Sequence, residues 1–221
     1  RDRSPGLPHE TPGQATHTKT MCAVVASTRG GAGASVSLGV RGASLPSTVK
    51  IQVAHLPGDH SRIAFKGLTF LILGSPTEAA LPTILLAFKA NGVTDLVRTC
   101  EARGYADSSF EDAGIAVRSL TFPDGGPPPV EVIEAFLSVM REARLRGGAV
   151  AVHCAAGLGR APVLVAVALI ESGLSPVDAV AAIREARRGA LNRTQIKFLL
   201  LEYKPVRSRV LGGLRGPCVI A

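Results

Sequence analysis

Residues 149–162 read AVAVHCAAGLGRAP, and this stretch restricts the chain to few architectures. Four small, β-prone residues (149–152) lead into His153 and Cys154. A loop of small residues follows, Ala155, Ala156, Gly157, Leu158 and Gly159, closed by Arg160. Pro162 then opens an apolar run that reaches Ile170. The pattern predicts a buried strand, an anion-binding loop and a buried helix in direct succession. Gly157 and Gly159 permit the positive φ angles that such a cradle needs. A helix starting near Arg160 turns its free N–H groups and the positive end of its dipole toward the loop. These amides and Arg160 favour a thiolate at Cys154, and the planar fork of Arg160 grips two oxygens of a phosphate. The expected chemistry is a thiolate nucleophile, Cys154, facing a phosphate held by residues 155–160. His153, beside the thiol, orders the loop through hydrogen bonds.

A leaving alkoxide or phenoxide needs a proton, so a general acid must stand opposite the nucleophile. Asp124 is the candidate, in the turn-rich segment Phe122-Pro123-Asp124-Gly125-Gly126 just past a predicted strand. Cys100 ends another predicted strand. If strands 93–99 and 149–153 are neighbours, they lie about 4.8 Å apart. The Cα atoms of Cys100 and Cys154 then fall in the disulfide window of roughly 4.4–6.8 Å. Cys100 is therefore a candidate redox partner that shields Cys154 from over-oxidation.

Apolar periodicity predicts further strands over 69–73, 93–99 and 115–120, and helices over 76–91, 130–146, 161–171, 175–188 and 193–203, with 101–114 a polar loop. Strands alternating with helices argue for an α/β fold with a mostly parallel central sheet flanked by helices. Aromatic residues are only 4% and Trp is absent, so the core must be aliphatic, which suits a buried parallel sheet. Residues 1–60 are rich in Gly, Ser, Thr and Pro. They read as a disordered low-complexity extension, with extended pieces near 49–53, ahead of a domain over 61–203 and a basic tail over 204–221. The first residue is Arg, which points to a fragment, a processed form or an upstream-extended reading, with Met21 a candidate natural start. The residues after Met21 lack the basic and apolar regions of a signal peptide. No apolar run reaches about 18 residues, so no transmembrane helix is expected. Four scattered Cys without a C-x-x-C pair suggest a reducing compartment and no zinc; neither a metal nor another cofactor is expected.

The net charge of +8 is concentrated at one end. Nine of the 25 Lys and Arg follow residue 181, against only Glu185 and Glu202. This is either a solvated helix face with a soluble tail, or an attraction to an anionic surface. Cys218-Val219-Ile220-Ala221 favours the second, because it forms a C-a-a-X prenylation box with Ala, a farnesyl determinant, at X. One lipid chain binds only marginally and needs a second signal. Lys204, Arg207, Arg209 and Arg215 supply it, each adding about 1 kcal/mol at an anionic leaflet. Peripheral attachment to cytosolic membrane faces is expected. Nucleic acid is not an expected partner, since the charge is confined to one end and stacking aromatics are few.

The segments VHCAAGLGRAPVLVAVALIE, TFPDGGPPP, GVTDLVRTCEA and IREARRGALN, with the terminal CVIA, together resemble the phosphatase of regenerating liver (PRL) family of prenylated type IVA tyrosine phosphatases. The resemblance runs from about Phe65 to Ala221 and leaves residues 1–60 outside. Ala161, where most tyrosine phosphatases carry Ser or Thr, is a mark of that family. The resemblance implies a cysteine-dependent, dual-specificity phosphatase fold with Cys154 as nucleophile, Arg160 as phosphate binder, Asp124 as general acid and Cys100 as redox partner. It also implies that Glu101 and Arg98 position the Cys100 loop and that Asn192 and Gln195 lie near the site. The implied activity is hydrolysis of phosphate monoesters of proteins or phosphoinositides through a phosphocysteine. That intermediate should break down slowly, because Ala161 lacks the hydroxyl that usually helps release the thiolate. The implied location is the cytosolic face of the plasma membrane and endosomes, and the implied assembly a homotrimer. The chain departs from the family pattern at Pro123, normally acidic, and at Leu120, normally Trp. Both changes leave Asp124 in place but bear on loop closure. The alternative is a weakly active pseudo-phosphatase whose pocket binds a CBS-domain magnesium transporter. Sulfur transfer also uses a Cys loop ending in Arg, but Asp124 and the prenylation box speak against it.

Overall fold

Ala149–His153 forms the strand its composition predicts, and every residue in it is buried. It lies inside a six-stranded sheet in the order β1-β2-β3-β6-β4-β5. The strands are β1 Gln52–Leu56, β2 His60–Phe65, β3 Leu68–Leu73, β4 Val93–Arg98, β5 Ala116–Ser119 and β6 Ala149–His153. The β3–β6, β6–β4 and β4–β5 ladders are parallel, and β1–β2 and β2–β3 are antiparallel. The sheet is therefore mixed, with a parallel centre. The helices are α1 Leu81–Ala90, α2 Ser108–Glu111, α3 Val130–Leu145, α4 Arg160–Glu171, α5 Pro176–Ala186 and α6 Arg193–Lys197. This computed structural model describes residues 51–56, 59–101 and 104–205, all in one compact unit. Residues 1–50 of the extension expected over 1–60, with Met21, and the prenylation box at Cys218 with Arg207, Arg209 and Arg215, lie outside the described residues. Among the described residues no helix is long and apolar enough to cross a membrane.

Alternation along the central strands divides the core. Phe70 and Ile72 of β3 and Val150 and Val152 of β6 join one cluster with α3, α4 and α5. Leu71, Leu73, Ala149 and Ala151 point the other way, into a cluster with Ile84 and Phe88 of α1 and Phe110 of α2. Helices thus cover both faces, as parallel ladders require. α4 is buried from Ala161 through Ile170, which explains an apolar run without a polar face. Pro162 sits in its first turn, where the N–H it lacks would have no intrahelical acceptor. α5 starts as its sequence indicates, with Ser175 accepting from the Asp178 amide at the N-cap and Pro176 at the first position.

Three expectations need correction. The sheet begins before residue 61: β1 and the first residue of β2 fall in the stretch read as disordered, and Asp59, with φ 61°, turns the chain into β2. β1 is a short, half-exposed edge strand, so it has no strong apolar alternation to reveal it. The 101–114 loop contains α2, four residues long and too short to show a helical period, which buries Phe110. The helix predicted over 193–203 is α-helical only to Lys197 and continues as a π-helical turn, Phe198–Glu202.

Candidate active site

The loop between β6 and α4 is shaped by its outer neighbours. The Ala155 carbonyl accepts from the Ser75 amide at 2.9 Å, and the Leu158 carbonyl from the Leu191 amide at 2.8 Å. The Ala156 carbonyl accepts from Arg187 Nη2 at 3.3 Å. No peptide here is cis. In a trans peptide C=O and N–H point in opposite directions. The amides of Ala156, Gly157 and Gly159 therefore face away from those outer partners, toward the inside of the loop. The Gly157 amide donates to Cys154 Sγ at 3.2 Å. Cys154 is buried, with 3% of its surface exposed, at the foot of this ring of amides and ahead of the α4 N-terminus.

Arg160, the first residue of α4, lies across the top. Its Nη1 donates to the carbonyls of Thr99 and Phe122 at 3.5 and 3.4 Å. Its Nε is within ion-pair distance, 3.3 Å, of Asp124 Oδ1, an oxygen that accepts from the Gly125 amide at 2.9 Å. Asp124 is mostly exposed, over Gly159. A cavity of about 300 Å³ lies between Cys154, Gly159, Arg160, Asp124 and Gln195. A neighbouring one of about 680 Å³ shares Ala155 and Arg160 and extends past Cys100 and Glu101 to Phe122 and Pro123. The structure thus brings Cys154, residues 155–160 and Asp124 together. Gly157 has the expected positive φ, 69°, but Gly159 does not: its φ is −115°. Gly159 instead leaves room, since a Cβ there would come within 3.3 Å of Asp124 Oδ1.

Cys100 follows β4, which pairs directly with β6 through Arg98 and His153. Both Cys100 and Cys154 are free thiols and both are buried. Burial pushes the Cys100 thiol above its ordinary pKa, against the pull of Arg160. Arg98 and Glu101, both expected to position the Cys100 loop, are placed differently. Arg98 forms a two-pronged pair with Asp107 and also donates to Ser119 and Tyr105, while Glu101 stands exposed at the rim of the larger cavity. Tyr105, so held, is hydrogen-bonded through its hydroxyl to His153 Nε2 at 2.7 Å. The His153 carbonyl accepts from both the amide and the hydroxyl of Thr99. His153 is thus tied on two sides, which fits its expected ordering role.

Burial pushes the His153 imidazole down to about 4. The unfolded chain takes up this proton near pH 6.5, the native chain only near 4. Stability owed to the neutral ring is complete above about pH 6.5 and is lost as pH falls toward 4, by about 3 kcal/mol in all. Urea unfolding at pH 7 and pH 5 should show this decline, and His153→Gln should flatten it.

Arg187 was not legible as a site residue, because it is one of nine basic residues in a stretch whose charge reads either as a solvated face and tail or as an attraction to an anionic surface. Its side chain is only 5% exposed and binds Asp59, the Ile72 carbonyl and the Ala156 carbonyl. It therefore supports the loop from behind.

The family profile described as "Polymorphic toxin system, DSP-PTPase phosphatase" matches residues 77–174. Protein tyrosine phosphatase type IVA 3 of Homo sapiens is 46% identical over 145 residues, 65% of this chain and 83% of that protein. PRL-1 phosphatase of Drosophila melanogaster is 42% identical over 161 residues, 72% of this chain and 90% of that protein. The solved structure of a candidate protein tyrosine phosphatase from Leishmania major is 40% identical, with a TM-score of 0.56, covering 62% of this chain and 88% of that one. PTPMT1 has a similar fold at 21% identity, with a TM-score of 0.57, covering 66% of this chain and 96% of that one. Matched over more than four-fifths of these curated relatives at such identities, the chain belongs to the protein tyrosine phosphatase type IVA, or PRL, family.

Proposed function

We propose that this chain hydrolyses phosphate monoesters of proteins or phosphoinositides through a phosphocysteine at Cys154. The Cys154 thiolate attacks phosphorus, forming the S–P bond as the bond to the leaving oxygen breaks. Asp124 gives its proton to that oxygen. Asp124, now a carboxylate, takes a proton from water as the water attacks phosphorus. The S–P bond then breaks, returning the thiolate and inorganic phosphate. The inward amides and Arg160 hold the three non-bridging oxygens throughout. The observation that carries this reading is the Gly157 amide on Cys154 Sγ in a loop whose carbonyls are drawn outward.

Ala161 is wholly buried beside the loop and has no hydroxyl to offer the departing sulfur. An aryl phosphate should give a burst of product equal to enzyme, followed by slow turnover. Intact mass should reveal one phosphoryl group on Cys154 during the slow phase. Ala161→Ser should raise the slow rate about tenfold by a hydrogen bond to the thiolate. Linear product release with no phosphorylated species would overturn the reading.

The same proposal makes Cys100 the redox partner of Cys154 and Cys218 a farnesylation site that, with the basic tail, attaches the protein to cytosolic membrane faces. Cell fractionation checks the anchor: Cys218→Ser should move the protein to the soluble fraction, and persistent membrane association would refute it.

A further inference from the structure

The N-terminus of α6 carries a capping box. Asn192 Oδ1 accepts from the Gln195 amide at 2.9 Å, and Gln195 Oε1 accepts from the Asn192 amide at 3.2 Å. Those two contacts satisfy the helix end and use only the oxygens of the two side chains. Ser, Thr or Asp at the first position and Glu at the second would serve equally. The amide nitrogens are surplus to capping, yet both are engaged. Asn192 Nδ2 donates to the Gly125 carbonyl at 2.9 Å, and Gln195 Nε2 to the Gly126 carbonyl at 3.5 Å. Gly125 and Gly126 directly follow Asp124, and Gly125 turns the chain there with φ 80°. Gln195 is completely buried and lines the same cavity as Cys154 and Asp124.

We infer that Asn192 and Gln195 are positioning residues that clasp the acid loop, using the donor halves of a helix cap to hold Asp124 over the phosphate cradle. The inference rests on the reading of Asp124 as general acid. Only side chains that combine an acceptor with a donor can cap the helix and hold the loop at once. The Asn192 contact faces solvent and the Gln195 contact is long, so the clasp shifts a loop equilibrium modestly and reversibly.

Asn192→Asp keeps a capping oxygen and has no donor, and Asn192→Ser keeps one but its shorter hydroxyl does not reach the Gly125 carbonyl from the capping position, so the thermal midpoint should stay near that of the parent protein. A displaced acid matters most when the leaving group is poor. Values of kcat/KM, which report the first chemical step and not the slow second one, are measured for para-nitrophenyl phosphate and for phenyl phosphate. Both variants should lose about fivefold more with phenyl phosphate than with para-nitrophenyl phosphate. That extra loss should vanish in an Asp124→Asn background. Equal losses on both substrates, or an extra loss that persists without Asp124, would overturn the clasp. Asp124→Asn alone is measured in parallel. If it leaves the leaving-group dependence unchanged, the acid assignment fails, and the clasp with it.

Discussion

Cys154→Ser should lower turnover of any phosphate monoester by at least about 10⁴-fold while leaving phosphate binding largely intact. A serine hydroxyl at neutral pH is almost wholly protonated, and no neighbour can serve as its base. His153 is buried, neutral and bound to Tyr105, and Asp124 is assigned to the leaving oxygen as its acid in the first step. The cradle itself does not depend on the sulfur. Its peptides are oriented by Ser75, Arg187 and Leu191, none of which touches Cys154 through the contacts that orient them. The burst should disappear, and inhibition by inorganic phosphate should stay within a few-fold of the parent protein. Turnover above one-hundredth of the parental rate would count against the nucleophile assignment. The same variant tests the redox pair. In the parent protein two thiols and one peroxide should give a disulfide and two waters, protecting Cys100 from later alkylation. In Cys154→Ser treated with peroxide, Cys100 should remain open to the label.

Gly157→Ala should damage stability and activity together. A Cβ at this position would lie 2.7 Å from the carbonyl carbon and oxygen of Leu73 and 2.9 Å from the Gly74 nitrogen. These are backbone atoms at the end of β3, where Leu73 pairs with His153 in the central ladder. Neither side can yield without opening that ladder. The backbone conformation, φ 69°, adds about 1 kcal/mol for any residue with a Cβ. A total loss of about 2–4 kcal/mol is expected by urea unfolding. Because the Gly157 amide faces Cys154 Sγ, kcat/KM should fall at least about 100-fold. Gly159→Ala is the contrast: its φ is ordinary and its new neighbours are side-chain atoms of Asp124 and Gln195 at 3.3 and 3.4 Å. It should be milder in stability. A Gly157→Ala protein as stable as its parent would show that the loop is not wedged against β3.

The centre of the molecule was readable because its determinants are contiguous. One strand, one loop and one helix carry the thiol, the amides and Arg160 within seven residues, and a buried strand and an all-round apolar helix have strong local patterns. Asp124 could be placed from its turn and its position after a strand. What supports these groups was not readable, because it comes from afar. Arg187 reaches Ala156 across 31 positions, and Tyr105 reaches His153 across 48. Tyr105 and Asp107 sat in a polar loop without periodicity, and the ring packing of Tyr105 on Phe110, its hydrogen bond to His153 and the Arg98 pair give them a fixed place. Edge strand β1 was legible only as an extended piece near 49–53, for the opposite reason: it buries too little to carry a pattern.

The catalytic floor of this protein is anchored from its amino-terminal edge. Asp59, in the turn between the first two strands, offers both its carboxylate and its carbonyl to Arg187, and the same guanidinium holds the Ala156 peptide one residue before Gly157. A recombinant version trimmed to begin at residue 61 would discard the outermost strand and half of the grip on that cation. The damage would surface not at the cut end but in the stiffness of the pocket, so the shortest faithful form of this enzyme is longer than its most recognisable stretch.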